Sequence, residues 1–450
     1  MRIRIVCSAV LAGIFLSTSA FAADVSGQSR TYILSREAID KSDLMPFFEF
    51  LDFRAEDVGV KNVSFHFGGW LRYDLRDDSV QGKDKNSDLS YAYLRIRGDR
   101  ADSALDLGRV LVNEGVASEQ VDGAYARTAL LGGFTVAAFG GAPVETYFDD
   151  RGGDSVYGGR ISHGAWGIYR VGLSYLKEKN GNKLDNGKEV SKDFREEEGV
   201  DLWFKPFDKM ELLGNAFYNA ITENWMFQTA YVTFGPFAGA RLTGNATKVL
   251  YKDYFTSSTT TAFKFDPAII NPAIEMTSAG GEASYTIAGV TLSGDYKKYT
   301  YRSTDPAIPE PGDADYFGGR LAYSASGKGG VGVGYHRMDG ETSPLQYDEY
   351  RVYAFKRFGA FDITADYFNV RYDVEINGVK NAYAAVLAGG WNIADTLRLA
   401  ADVEYGHNPF YDKEVRGIVK LVYNFDIAPP AKAPVKTPEK TPAPKGRKTK

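Results

Sequence analysis

Cysteine is nearly absent from this sequence. The only cysteine among its 450 residues is Cys7, which lies within an N-terminal leader. The mature chain is therefore expected to have no disulfide, no thiol nucleophile, no lipid-modified cysteine and no covalent haem-attachment motif. We predict no cofactor.

Long hydrophobic runs are also missing. The apolar stretch 5–16, which follows Arg2 and Arg4, is too short to cross a bilayer as a helix. The small-residue site Ala20-Phe21-Ala22 comes next and completes the pattern of a signal peptide over residues 1–22. We therefore predict export through a cleaved signal peptide, and any part that spans a membrane must do so with strands.

Short segments of alternating polarity fill the rest of the chain. In the last one, alternate residues from Val415 to Phe425 are apolar or aromatic, whereas Arg416, Lys420 and Asn424 occupy the other parity. Successive side chains of a strand point to opposite faces, so one face is apolar and the other polar. This pattern is typical of a β-barrel with an apolar outer face and a polar interior.

We predict about twenty such strands, within a range of 18–22. Tight connections such as 131–133, 235–236 and 358–360 alternate with long polar ones such as 141–155 and 178–195. Barrels with short turns at one end and long loops at the other have this alternation. The expected fold class is all-β, a transmembrane antiparallel up-and-down β-barrel.

Four regions follow from this interpretation. Residues 1–22 are the signal peptide, and residues 23–62 form an N-terminal periplasmic or lumenal segment with a short helix near 32–39. Residues 63–425 form the barrel. Residues 426–450 form a disordered tail rich in proline and lysine, with seven basic and two acidic residues.

The chain resembles a Gram-negative outer-membrane β-barrel porin. The resemblance rests on the architecture of 63–425, on the segments 106–110 (DLGRV) and 122–127 (DGAYAR), and on the terminal aromatics Tyr423 and Phe425. It implies a location in the cell outer membrane, contact with outer-membrane lipid, and passive diffusion of small hydrophilic solutes or ions. The chain departs from the family by the 25 residues that follow Phe425.

A fainter resemblance concerns segment 139–145 and the residues before the barrel. They are similar to the barrel component of porin–cytochrome electron conduits of metal-reducing bacteria. This alternative implies that the barrel is a sheath for multihaem c-type cytochromes in extracellular electron transfer. The sequence has no haem motif of its own, so electrons would need that partner.

The resemblance to porins implies a pore constriction in the loop 141–155, because the corresponding porin loop commonly folds inward. Its carboxylates would concentrate cations and repel anions. The alternative is a solvated loop that projects outward. The candidate constriction residues are Glu145, Asp149, Asp150 and Asp154.

Basic residues on the polar parity of the strands are candidates for the lumen lining. They would either set a field across the pore or form salt bridges with nearby carboxylates, and both signs of charge leave ion selectivity open. These residues are Arg72, Arg95, Arg97, Arg170, Arg241, Arg320, Arg351 and Arg398.

Patterns for catalysis and metal binding are scarce. The four histidines (His66, His163, His336 and His407) lack the close spacing of metal ligands. No serine lies in a G-x-S-x-G motif. We predict no catalytic residue, no metal site and no enzymatic activity; an outer-membrane hydrolase stays open only if a serine and a histidine meet on adjacent strands.

The basic tail has two interpretations. It either contacts anionic cell-wall polymer by electrostatic attraction or is a solvated end without a partner. We predict no nucleic-acid partner. The oligomeric state stays open, because porin resemblance suggests trimers whereas larger barrels often stand alone.

Overall fold

The computed structural model describes residues 24–37, 42–76, 84–98, 102–144, 155–185, 188–258, 271, 273–325, 327–409 and 411–427. The predicted signal peptide and the tail from residue 428 onward lie outside these residues. Within the described ranges, no helix combines the length and the apolar character needed to cross a bilayer.

Strands make up nearly all of the described chain. In the first half they are β1 (Asp24–Glu37), β2 (Asp43–Leu44), β3 (Pro46–Glu56), β4 (Val63–Asp74), β5 (Lys85–Arg97), β6 (Ala104–Glu114), β7 (Ala117–Ala129), β8 (Phe134–Pro143), β9 (Ser155–Ala165), β10 (Tyr169–Asp185), β11 (Lys188–Phe207) and β12 (Met210–Asn219). In the second half they are β13 (Asn224–Phe237), β14 (Ala240–Leu250), β15 (Ile274–Ile287), β16 (Val290–Ser303), β17 (Gly312–Ala325), β18 (Gly329–Gly340), β19 (Gln346–Phe358), β20 (Phe361–Ile376), β21 (Val379–Ala394), β22 (Leu397–Asn408) and β23 (Tyr411–Ile427). The α-helix α1 (Tyr251–Ser258) follows β14.

The sheet closes on itself. Each long strand pairs antiparallel with its neighbour in the chain, and β1 pairs with both β3 and β23, so that Tyr32 lies opposite Phe48 on one side and Lys420 on the other. The two-residue β2 pairs with the end of β1 and is not one of the strands of the barrel wall. The result is a closed antiparallel up-and-down barrel of 22 strands, which confirms the predicted all-β fold.

The N-terminal segment differs from the prediction. The expected short helix near 32–39 is wrong, because residues 24–37 form β1 and residues 46–56 form β3. The wall therefore begins near residue 24 and not at residue 63. The physical reason is closure: the free backbone groups of β23 need a partner, and β1 supplies it.

The connection between β10 and β11 also differs. We expected a loop over 178–195, but backbone pairing continues from Glu178 to Asp185 on β10 and from Lys188 to Arg195 on β11. Ladder hydrogen bonds join backbone groups, so they do not require apolar side chains. The prediction of a loop here, which used only the polarity of the side chains, is therefore wrong.

The two parities of the strands form two different surfaces. One, here called the apolar face, has the parity of Leu94, Leu173 and Leu292, whose side chains are exposed. The other, here called the polar face, has the parity of Arg95 and Ser174. Hydrogen bonds on the polar face repeatedly join strands that are two positions apart in the wall.

Such contacts identify the polar face as the inner one. Side chains converge on the concave side of a cylinder and diverge on its convex side, so strands that are not adjacent meet inside. The pairs are Tyr91–Asp52 at 3.1 Å, Arg160–Asp201 at 2.6 Å, His336–Asp295 at 3.0 Å and Arg398–Asp362 at 2.8 Å.

The β6–β7 hairpin leaves the wall. Pairing between β5 and β6 ends at Ala92–Arg109, although both strands continue beyond these residues. Gly108 lies at this point with φ +132°, a conformation that side chains other than glycine rarely adopt. Beyond it, Arg109 and Gln120 donate side-chain hydrogen bonds to the carbonyl of Leu89, which β6 leaves free.

Replacing Gly108 with alanine is expected to destabilise the barrel. A Cβ at this position would lie 2.4 Å from the carbonyl oxygen of Ala92, and the backbone conformation alone costs roughly 1–3 kcal/mol for another residue. Urea unfolding from lipid vesicles measures the effect. Gly140→Ala is the control, because its Cβ would meet nothing closer than 3.6 Å; an equal loss in both variants would contradict the prediction.

Candidate functional site

The β6–β7 hairpin crosses the inside of the barrel. The backbone N–H of Val116, at its tip, donates a 2.9 Å hydrogen bond to Ser174 Oγ on β10. In the wall, β8 and β9 separate β7 from β10. Because Ser174 belongs to the polar face, the hairpin must lie over β8 and β9 within the lumen.

Apolar packing fixes the hairpin to the wall. Residues on the side of the hairpin that faces the wall are nearly inaccessible to solvent. They pack against inward side chains of β8–β10 and β13. Each fully buried valine contributes about 1.5–3 kcal/mol. The cluster consists of Val110, Val112, Val116, Ala117 and Val121 of the hairpin with Phe139, Val156, Leu176 and Met226 of the wall.

A buried charge cluster lies beside this apolar packing. Arg195 of β11 is only 4% exposed and contacts three carboxylates: Glu197 at 2.5 Å, Glu119 at 2.7 Å and Glu178 at 4.0 Å. Glu119 belongs to the hairpin, whereas Glu178 and Glu197 belong to the wall. Arg195 is therefore a buried cation that joins the two parts.

A second set of polar contacts holds the hairpin near its tip. Glu114 accepts a 2.6 Å hydrogen bond from the Tyr125 hydroxyl and lies 3.5 Å from Arg127 and 3.7 Å from Arg160. Arg160 also binds Asp201 of β11 at 2.6 Å. Glu114 and Glu119 thus face the wall and are neutralised there, whereas Asp122 has the opposite parity and pairs with Arg109 of the hairpin at 2.7 Å.

The opposite side of the hairpin faces the open lumen. It presents Leu111, Asn113 and Ser118, all of which are exposed. These side chains carry no charge. Arg109 and Asp122, which have the same parity, form an ion pair at 2.7 Å. The inward element therefore narrows the lumen with a surface of no net charge, whereas the prediction placed an acidic constriction in the loop 141–155.

The predicted constriction residues are not among those that the structure describes. Glu145, Asp149, Asp150 and Asp154 all lie in the gap between residues 144 and 155. The acidic constriction therefore stays a prediction.

The eight predicted basic residues all have the parity of the polar face. Six of them contact a carboxylate: Arg72–Asp74 (3.4 Å), Arg95–Asp106 (2.7 Å), Arg97–Glu56 (3.1 Å), Arg320–Glu282, Arg351–Asp366 (2.6 Å) and Arg398–Asp362 (2.8 Å). Among the described residues, Arg170 and Arg241 have no carboxylate within 4.0 Å. Salt bridges, one of the two alternatives for these residues, thus involve six of them, and a field across the pore stays a prediction.

The helix α1 also packs against the wall. The ring of its Tyr254 stacks on Phe227 of β13 with centroids 5.1 Å apart. Burial raises the pKa of the Tyr251 hydroxyl, which lies in this helix outside the strands. The end of the barrel at which α1 lies is therefore lined partly by aromatic side chains.

Serine and histidine do meet at one place. Ser64 Oγ and His66 Nε2, both on β4, lie 3.0 Å apart. Ser64 is only 1% exposed, so a substrate cannot reach its hydroxyl. In the part of the chain described, no group of three histidine, cysteine or acidic side chains has the arrangement of a metal site.

Sequence reasoning missed the hairpin as the inward element. The contact of Val116 with Ser174 joins residues 58 positions apart, which no local pattern reports. The available signal was glycine: Gly108 and Gly123 lie opposite each other where the hairpin leaves the wall, and Gly115 forms its turn.

Replacing Arg195 with glutamine is expected to release the hairpin. The variant removes the guanidinium group that three buried carboxylates share, and losing one partner of a buried ion pair typically costs about 3–5 kcal/mol. Arg54→Gln is the control, since Arg54 is 58% exposed in its pair with Glu56 and should cost at most about 1 kcal/mol. Urea unfolding and limited proteolysis of the hairpin measure both; equal behaviour of the two variants would refute the role of Arg195.

Comparison with solved structures finds barrels of similar fold. The chain is similar to the copper transporter OprC, with 10% sequence identity, coverage of 90% of this chain and 80% of that chain, and a TM-score of 0.51. It is also similar to OccK11 (OpdR) of Pseudomonas aeruginosa (13% identity, 90% and 96% coverage, TM-score 0.43) and to OccAB4 of Acinetobacter baumannii (10%, 90% and 98%, 0.45). No protein-family model and no curated protein matches the sequence. At these identities the likeness concerns the fold, and the chain has the architecture of an outer-membrane β-barrel.

Proposed function

We propose that the protein is an outer-membrane channel for the passive diffusion of small hydrophilic solutes or ions. The observation that carries this proposal is the closed 22-strand barrel with an apolar face outside and a charged face inside. Charged side chains that face hydrocarbon are costly, so the apolar face meets lipid and the polar face meets water. Transport then needs no covalent step.

The inner wall suits hydrophilic solutes because its charges are both paired and accessible. Arg351 is 55% exposed, whereas its partner Asp366 is 27% exposed. Lys420 and Asp402 form a similar pair at 2.8 Å. Pairs of this kind replace part of the hydration shell of a passing polar solute without trapping a single ion type.

Two elements would narrow the channel. The β6–β7 hairpin occupies part of the lumen with a surface of no net charge. The acidic loop that contains Glu145 and Asp149 would add negative charge at the outer mouth and favour cations there. Selectivity then depends on both elements together.

The segments outside the barrel have proposed roles as well. Residues 1–22 would direct export and be removed. The basic tail after residue 427 would reach the periplasmic side and contact anionic cell-wall polymer. Both proposals rest on the sequence.

Purified protein in planar lipid bilayers is expected to give large, steady current steps that are linear in voltage. An open polar lumen conducts ions without a chemical step, so current follows the applied field. Absence of steps would overturn the channel proposal. Absence of steps together with a co-purifying haem protein would instead support the sheath for multihaem cytochromes.

Shortening the β6–β7 hairpin is expected to raise the conductance. Val110 and Val121 are paired, so two glycines can replace residues 111–120. The matched control is the β20–β21 hairpin, where two glycines replace 372–380 between the paired Arg371 and Asn381. Removal of the inward hairpin widens the lumen, whereas the control should leave the conductance unchanged; equal conductance in both variants would contradict the role of the hairpin.

A further inference from the structure

A cavity of about 500 Å³ opens on the inner wall over strands β14–β19. This sector begins at β14, next to β13, which the β6–β7 hairpin contacts. Its charged side chains fall into levels, because paired residues of adjacent strands lie side by side across the wall. Two of these levels have opposite charge.

The lower level is basic. Arg320 and Arg351 both pair with Gly334, which lies between them and has no side chain to fill the space. The two arginines are therefore separated by two strand spacings, or about 10 Å. They are 52% and 55% exposed, and each is held by a less exposed carboxylate. Arg320 binds Glu282, which pairs with Asp295 in the next level, whereas Arg351 binds Asp366, which pairs with Tyr353 on the other side. The exposed guanidinium group of Arg351 is therefore the one available to a carboxylate away from the acidic level.

The middle level is acidic. His336 lies between two carboxylates, with Nε2 3.0 Å from Asp295 and Nδ1 3.9 Å from Glu349. Tyr316 stacks on the His336 ring at 5.0 Å and donates a 3.3 Å hydrogen bond to Glu349. Within the described ranges, neither carboxylate has a lysine or arginine within 4.0 Å. The level is thus negative whether His336 is neutral or charged.

The distance between the levels sets the size of a matching solute. Glu349 and Arg351, like His336 and Gly334, are two residues apart on one strand, which corresponds to about 7 Å. The termini of an extended dipeptide are also about 7 Å apart. A single amino acid is too short to reach both levels.

We infer that this cavity is a binding subsite for small zwitterions, with the ammonium group at Glu349 and the carboxylate at Arg351. Dipeptides have the required separation of charges. The inference deepens the proposed channel function and rests on it, since the solute must enter the lumen. Lys297 lies one level above Asp295, over the ring of Tyr299 at 5.0 Å. Its positive charge disfavours an ammonium group at that upper level.

Current recordings with small probes test the subsite. Glycylglycine should interrupt the current of the wild-type channel with an apparent affinity about tenfold higher than that of its analogues, because each analogue loses one charge-assisted contact. The analogues are N-acetylglycylglycine, which lacks the ammonium group, glycylglycinamide, which lacks the carboxylate, and glycine, whose charges are too close together. Equal affinities for all four would overturn the inference.

Variants assign each charge to its level. Glu349→Gln should reduce the affinity for glycylglycine about tenfold and leave that for N-acetylglycylglycine unchanged. Arg351→Gln should leave glycylglycinamide unchanged instead. Arg54→Gln, which removes an equally exposed inner arginine of β3, is the control and should not alter the preference. A loss in the control equal to that in the two variants would refute the assignment.

The recordings also separate the two proposals. A wild-type barrel without current steps refutes the channel function itself. A conducting barrel without preference for glycylglycine refutes only the zwitterion subsite. The wild-type comparison needs no substitution, so it decides the matter even if a variant does not fold.

Discussion

Closure of the hydrogen-bonded sheet is the constraint on which the rest of this structure depends. A strand edge that faces hydrocarbon leaves backbone groups unpaired, at a cost of several kcal/mol for each group. The strand β1 removes the last edge by pairing with both β3 and β23. Once the wall is closed, alternation along each strand fixes which side chains point outward and which enclose the lumen.

The inner wall then divides into two sectors with different electrostatics. Over β8–β13 the hairpin covers the wall, and carboxylates such as Glu119 are neutralised by the buried Arg195. Over β14–β19 the wall stays open, and charges such as Glu349 and Arg351 face the lumen at separate levels. Buried ion pairs position a structural element in the first sector, whereas exposed charges remain available to solutes in the second.

Much of the fold follows from local pattern, since alternation placed strands such as β19 at 346–358 with the bounds that the structure has. The strand β1 was missed because Ser29 and Thr31 occupy its outer parity, and these residues give little apolar contrast with Arg30. The predicted arginines share the parity of the polar face, which is also a local property of each strand. Their partners, the inward hairpin and the charge levels depend on register between strands, which a single sequence does not contain.

Because the hairpin leaves the wall, one strand pairing is shorter than the neighbouring pairings. Pairing between β5 and β6 runs only from Ala92–Arg109 to Arg97–Ala104. Beyond Ala92–Arg109, side-chain hydrogen bonds from Arg109 and Gln120 take the place of backbone pairing. Side-chain hydrogen bonds break one at a time, whereas ladder bonds break cooperatively. Under lateral tension the barrel wall should therefore open first between β5 and β6. An opening there would connect the lumen with the surrounding lipid.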